Sequence, residues 1–172
     1  MVTIFRLVVL LFVLAAAGAC QSAKSDAEIA LQPDSPELEK LYQEGRAAYL
    51  GEDYQTAAAI FARVVESDPS HIKALVNWGV ALSRGGDPKG ALPKFEQALA
   101  RDPNHAWAMY NLGVALQRLG EHEIAIVQYK QAVEREPSLL TPAMKHYLQR
   151  WERKQQNSGI NIQGSSPSPT PP

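Results

Sequence analysis

The sequence predicts an all-α protein: a solenoid of three helical hairpins closed by a C-terminal capping helix. Three observations predict it. Pro69, Pro103 and Pro137 recur every 34 residues, as do Gly45, Gly79 and Gly113; Ala57, Ala91 and Ala125; and Phe61, Phe95 and Tyr129. Four series at one period mark tandem copies of a single supersecondary unit, here 38–71, 72–105 and 106–139. Leu and Ala outnumber Val and Ile, which favours helix over sheet. Apolar residues make up 45% of 172 residues, enough for the core of one domain.

The first element lies outside that domain. Arg6 is followed by an apolar run from Leu7 to Ala17 and then by Gly18-Ala19-Cys20. The run is too short to cross a hydrocarbon core of about 30 Å, which takes about 20 helical residues. A charged start, a short apolar centre and small residues at the end are the pattern of a secretory signal over 1–19. Ala17-Gly18-Ala19-Cys20 resembles the lipobox of bacterial lipoproteins, with Ala17 where that family usually has Leu. The resemblance implies that Cys20 becomes the lipid-bearing first residue; a non-lipidated signal cut near Ala19 is the alternative. It implies residence in the cell envelope, facing the periplasm, and Gln21 after the cysteine favours the outer membrane in Gram-negative sorting. Residues 20–35 then read as a lipid-attached tether, polar and without sustained period.

The domain proper covers 36–155. In each unit the Gly lies inside the first helix, where it costs about 1 kcal/mol against Ala. Close packing of the second helix explains it, with Ala57, Ala91 or Ala125 as the other half of the contact. Phe61, Phe95 and Tyr129, four residues later, are expected to fill the space between hairpins. Each closing Pro ends the second helix, and Ser70, Asn104 or Ser138 just after it is expected to cap the next. Turns at Gly51-Glu52-Asp53, Gly85-Gly86-Asp87 and Gly120-Glu121 join the two helices of a unit. Pro93, inside a second helix, predicts a kink or a late start there.

These residues resemble the tetratricopeptide repeat, most closely at Leu75-x-x-Trp78-Gly79 and Met109-x-x-Leu112-Gly113. The resemblance implies a right-handed α-solenoid of three such hairpins. Unit one departs with Glu44 where the family prefers Leu, which suits an exposed N-terminal edge. A capping helix over 141–154 follows, with Ala143, Tyr147 and Trp151 as its inward stripe and Lys145, Arg150, Arg153 and Lys154 in solvent. Residues 156–172 are Pro/Ser-rich and polar, the composition of a disordered tail.

Stacked hairpins of this family curve around a concave trough lined by each unit's first helix. Carried over position by position, the resemblance assigns Tyr42, Arg46 and Tyr49 to it from unit one. Unit two adds Lys73, Asn77, Val80 and Arg84, and unit three adds Trp107, Tyr110, Asn111, Val114 and Arg118. Rings, Arg and Asn together suit an extended peptide, because rings bury area at small entropic cost and Asn bonds a backbone both ways. In the alternative, the Asn residues are merely solvated and Trp107 and Tyr110 pack inside the stack. Relatives that grip a terminal carboxylate use paired Lys and Asn; Tyr42, Arg46 and Trp107 stand at three of those places, so that clamp is absent.

A net charge of −1, from 17 basic and 18 acidic residues, carries no signature of nucleic-acid binding. Cys20 stands alone, excluding an intrachain disulfide. His71, His105, His122 and His146 lie too far apart to suggest a metal, and no phosphate loop or nucleophile-base pattern occurs. The sequence therefore points to a binding scaffold rather than an enzyme, with no cofactor. Its partner would be a protein or extended peptide, with the membrane reached through a lipid anchor. A self-associating scaffold, such as a homodimer, and an accessory subunit of a pilus, secretion or cell-wall complex are the other readings.

Overall fold

The computed structural model describes Pro33 and residues 35–157. The expected signal segment 1–19, Cys20, most of the expected tether and the residues beyond Asn157 lie outside the described residues. Within them the chain forms α1 (Pro36–Leu50), α2 (Tyr54–Ser67), α3 (Ile72–Arg84), α4 (Pro88–Arg101), α5 (Ala106–Arg118), α6 (His122–Arg135) and α7 (Pro142–Asn157). A 3-10 turn, Pro137–Leu139, precedes α7, and no strand occurs among the described residues. Consecutive helices pack together, and α3 also touches α1 and α5, so the first helices of the three units line one side. This is the all-α solenoid that the 34-residue period predicts.

The turns repeat with the sequence. Glu52, Gly86 and Gly120 stand 34 residues apart, and all adopt left-handed backbone, with φ of 62°, 97° and 83°. Glycine adopts that region freely, whereas Glu52 does so against its Cβ. Asp53 and Asp87 then cap α2 and α4 by accepting from Thr56 N and Gly90 N, while Glu121 in the same register caps nothing. At the unit ends the residue before each Pro is extended: Asp68, Asp102 and Glu136 have φ near −131°, −131° and −137°. Proline's Cδ disfavours the helical region for its predecessor, which favours a helix stop there.

The next caps differ from expectation. His71 Nδ1 accepts from Ala74 N and His105 Nδ1 from Ala108 N, both at 3.1 Å. Ser70 N and Asn104 N are instead held by Asp68 and Asp102 in tight side-chain turns, which moves capping one residue on. Ser138 Oγ donates to Glu136, and Thr141 Oγ1 caps α7 through Met144 N.

The in-helix glycines answer a ring more than an alanine. A Cβ on Gly45 would lie 2.8 Å from Phe61 Cε1, on Gly79 2.6 Å from Phe95 Cε1, and on Gly113 2.8 Å from Tyr129 Cδ1. Each aromatic therefore seals its own hairpin by laying its edge on the partner helix's backbone. Ala57, Ala91 and Ala125, fully buried one turn earlier, let the helices approach. Phe61 and Phe95 are among the largest fully buried side chains, each worth roughly 1.5–3 kcal/mol of burial.

Pro93 neither delays nor interrupts α4, which begins at Pro88 and runs through it. Pro93 and Lys89 are both exposed, so the carbonyl that loses its donor faces water. The cap α7 starts one residue later and ends three residues later than the sequence suggests, taking in Gln155, Gln156 and Asn157. Its inward side chains are Met144, Tyr147, Leu148 and Trp151, whereas Ala143 is exposed. A stripe at intervals of four drifts around a helix of 3.6 residues per turn, while i, i+3, i+4, i+7 stays on one face. Tyr147 crosses Tyr129 edge-on with ring centroids 5.8 Å apart, and its hydroxyl lies 3.0 Å from His122 Nδ1. Lys130 pairs with Glu152 at 3.2 Å on the same seam.

Candidate functional site

The trough is built from α1, α3 and α5. Ten of the residues assigned from the sequence line one open groove of about 630 Å³: Tyr42, Arg46 and Tyr49; Lys73, Asn77, Val80 and Arg84; Trp107, Tyr110 and Asn111. Val114 and Arg118 fall instead on a smaller cavity of about 270 Å³, with Gln117, Met144 and Tyr147. The cap α7 walls that second cavity, so the concave side continues past unit three as a separate recess. Arg118 also donates a short hydrogen bond to the Ser83 carbonyl, bridging α5 to α3.

Within the groove each side chain has a local reason for its pose. Tyr42 is buried with its ring 4.9 Å from His71 and 5.8 Å from Phe61, centroid to centroid. Burial pushes its phenol above the ordinary value, opposed by the nearby Arg46 charge, so the hydroxyl stays neutral. Asn77 Nδ2 donates to that hydroxyl at 2.9 Å, tying unit two to unit one. Asn111, one repeat on, donates at 2.7 Å to the Trp107 carbonyl of its own helix. The two amides therefore share a register position but not a role, and each Oδ1 has no partner among the described residues. Tyr110 lies between Trp107 and Tyr129, with centroids 5.8 Å and 5.7 Å away. Trp107 itself is 50% exposed, so it is not packed inside the stack.

Sequence reasoning missed Leu50, Val76, Phe61 and His105, which also line the groove. Leu50, 76% exposed at the end of α1, stands 34 residues before Arg84 and 68 before Arg118. The period alone could have found it. Val76 and Tyr110 share a register position with Tyr42 and were likewise within reach. Phe61 and His105 come from other elements, and only packing brings them there. Chemically the groove offers ring faces, two amide acceptors and cations held above an apolar floor. Among the described residues no cluster of His, Cys, Asp and Glu is placed to hold a metal ion.

Comparison with known proteins agrees with this architecture. A family model described as tetratricopeptide repeat matches residues 71–136, and a second of the same description matches 41–71. No curated protein matches the chain. Among solved structures, the Sgt2 TPR domain from Aspergillus fumigatus is 26% identical with a TM-score of 0.65, covering 83% of this chain and 92% of that one. The Yersinia enterocolitica type III secretion chaperone SycD, in complex with a peptide of the translocator YopD, is 19% identical. Its TM-score is 0.66, over 71% of this chain and 97% of its own. The first TPR of Spaghetti (RPAP3), bound to the HSP90 peptide SRMEEVD, is 20% identical with a TM-score of 0.65, over 72% and 96%. The last two likenesses, below a quarter identical, show the fold alone.

Proposed function

Residues 41–136 of this chain are tetratricopeptide repeats, and on that premise we propose a non-catalytic adaptor that holds an extended segment of a partner protein in its trough. The carrying observation is the open groove of about 630 Å³ whose wall combines ring faces, guanidiniums and amides. Leu50 and Trp107 stand 76% and 50% exposed along it. Apolar side chains left in water beside orienting polar groups are what a protein-binding surface presents. The Yersinia chaperone and the Spaghetti domain, which share the fold, each hold a peptide.

In this reading the adaptor is a lipoprotein of the bacterial envelope, facing the periplasm and serving a pilus, secretion or cell-wall assembly. Arg6, the apolar run after it and the lone Cys20 behind Gly18-Ala19 support it. Acyl chains at about 0.8 kcal/mol per buried CH₂ would make the anchor lasting. A self-associating scaffold is the second reading, favoured by Ile124 and Val127, which stand 50% and 51% exposed on α6.

The test uses the full chain in detergent micelles as bait for envelope extract. Trp107→Ala, at a half-exposed position, is expected to lose the captured partner without lowering the melting temperature; undiminished capture would remove the trough from the reading. Palmitate labelling is expected in the wild type and not in Cys20→Ser, and equal label in both would end the lipoprotein assignment. Sedimentation at several concentrations should show a constant mass, and a mass rising with concentration would favour self-association.

A further inference from the structure

The charge on the concave side differs from that of the chain as a whole. The full sequence carries 17 Lys and Arg against 18 Asp and Glu. The groove is lined by Arg46, Lys73 and Arg84, the recess beside it by Arg118, and among the described residues no carboxylate lines either. Arg46 donates to Gln43, and Arg118 to the Ser83 carbonyl; these acceptors are neutral. The ion pairs among the described residues, Lys130–Glu152 and Arg135–Glu134, lie on α6 and α7. Glu39 shares the register position of Lys73 and Trp107, but it accepts from Gln43 at 2.6 Å and does not line the groove. Three cations thus line the groove and a fourth lines the recess beside it, with no carboxylate of the described residues lining either.

From this charge pattern, and resting on the trough reading above, we propose that the occupant is an acidic extended segment read through internal Asp and Glu side chains. Its aliphatic or aromatic residues would sit between Leu50 and Trp107. Arg84 and Arg118 occupy equivalent positions one repeat apart. Neighbouring helices pack about 8–10 Å apart and an extended chain advances about 3.3 Å per residue. That helix spacing matches carboxylates roughly two or three positions apart. Arg presents a planar fork to each, and the low-dielectric floor strengthens the pairing over one in open water.

Calorimetry on the full-length protein in detergent tests this with two synthetic peptides, acetylated and amidated so that neither has a terminal carboxylate. One alternates Glu with Leu and Tyr; the other carries Gln for every Glu. The Glu peptide is expected to bind about tenfold more tightly than the Gln peptide, with the advantage shrinking as salt rises. Lys73→Glu with Arg84→Glu should cost the Glu peptide about tenfold while the melting curve stays in place, and the milder Lys73→Gln with Arg84→Gln should follow in the same direction. Lys73 and Arg84 are both exposed, so folding is not at stake. Equal binding of the two peptides, lost together in Trp107→Ala, would overturn the acidic preference and leave the trough reading standing. A Glu peptide that binds the charge-reversed protein as before would sit elsewhere and overturn the proposal. So would binding of neither peptide, and the partner capture described above then decides the trough reading separately. A complex whose mass shows two copies of the chain would assign the groove to a second copy and overturn it as well.

Discussion

Gly79→Ala puts the helix seam to a direct test. On propensity alone, alanine in the middle of α3 should stabilise by about 1 kcal/mol. The structure argues for the opposite sign. The new Cβ would lie 2.6 Å from Phe95 Cε1, 2.7 Å from Cζ and 3.0 Å from Cδ1, where carbon atoms normally stand about 3.5–4.0 Å apart. Phe95 is fully buried among Leu75, Ala91 and Ala98, so its ring has no free space to enter. Moving ring or helix by about 1 Å in a packed core costs roughly 1–3 kcal/mol or more, and the clash is severe enough to take the upper part of that range. After the propensity gain is subtracted, a net loss of about 1–2 kcal/mol is expected, or several degrees in melting temperature. Thermal unfolding followed by circular dichroism measures it. Gly51→Ala is the control: its φ of −78° suits alanine and its nearest neighbours are carbonyls at 3.5 Å. That variant should be neutral or slightly stabilising. Adding Phe95→Leu to Gly79→Ala should recover part of the clash, a coupling of opposite sign to simple additivity. A Gly79→Ala protein as stable as the wild type would refute the seam argument.

Three further outcomes follow from the same geometry. Glu52→Gly should stabilise by about 0.5–1 kcal/mol, because it puts at a φ of 62° the residue that units two and three already use there; a urea midpoint that fails to rise would mean the turn carries no strain. Pro93→Ala should stabilise by about 2 kcal/mol by restoring the bond to the Lys89 carbonyl, less the stiffness proline lends the unfolded chain; an unchanged midpoint would mean water already satisfies that carbonyl fully. Burial pushes the phenols of Tyr42, Tyr129 and Tyr147 above 10.0, their ordinary value. Groups whose folded pKa is raised support the fold fully below the unfolded value and lose that support as pH climbs through the folded one, so alkaline unfolding should set in above pH 10. Tyr129→Phe should flatten that slope when helicity and tyrosinate absorbance are followed together, and an unaltered slope would discard Tyr129 as its source.

The repeat architecture was legible because its signals are local and periodic. A proline biases its predecessor away from the helical region, and a glycine repeated inside a helix points to a close neighbour whatever that neighbour is. The 34-residue spacing therefore determined three hairpins and their turns, while the face that lines the trough came from the resemblance to the tetratricopeptide repeat. Leu50, in register with Arg84 and Arg118, was available to the same reasoning and was overlooked. The charge of the trough is likewise written in the sequence once the register is known. What tertiary structure decided are contacts between atoms far apart in the chain. It chose the aromatic ring over the alanine as the partner of each glycine, since which side chain reaches a backbone depends on crossing angle and rotamer. It moved capping to His71 and His105 because Asp68 and Asp102 had already engaged their neighbours. Asn77 is spent on Tyr42 while Asn111 turns to its own helix, and α7 divides the concave side by docking Met144, Tyr147 and Trp151 rather than Ala143. Periodicity fixes which residues share a face; only packing determines which of them touch, and so which remain free to hold a partner.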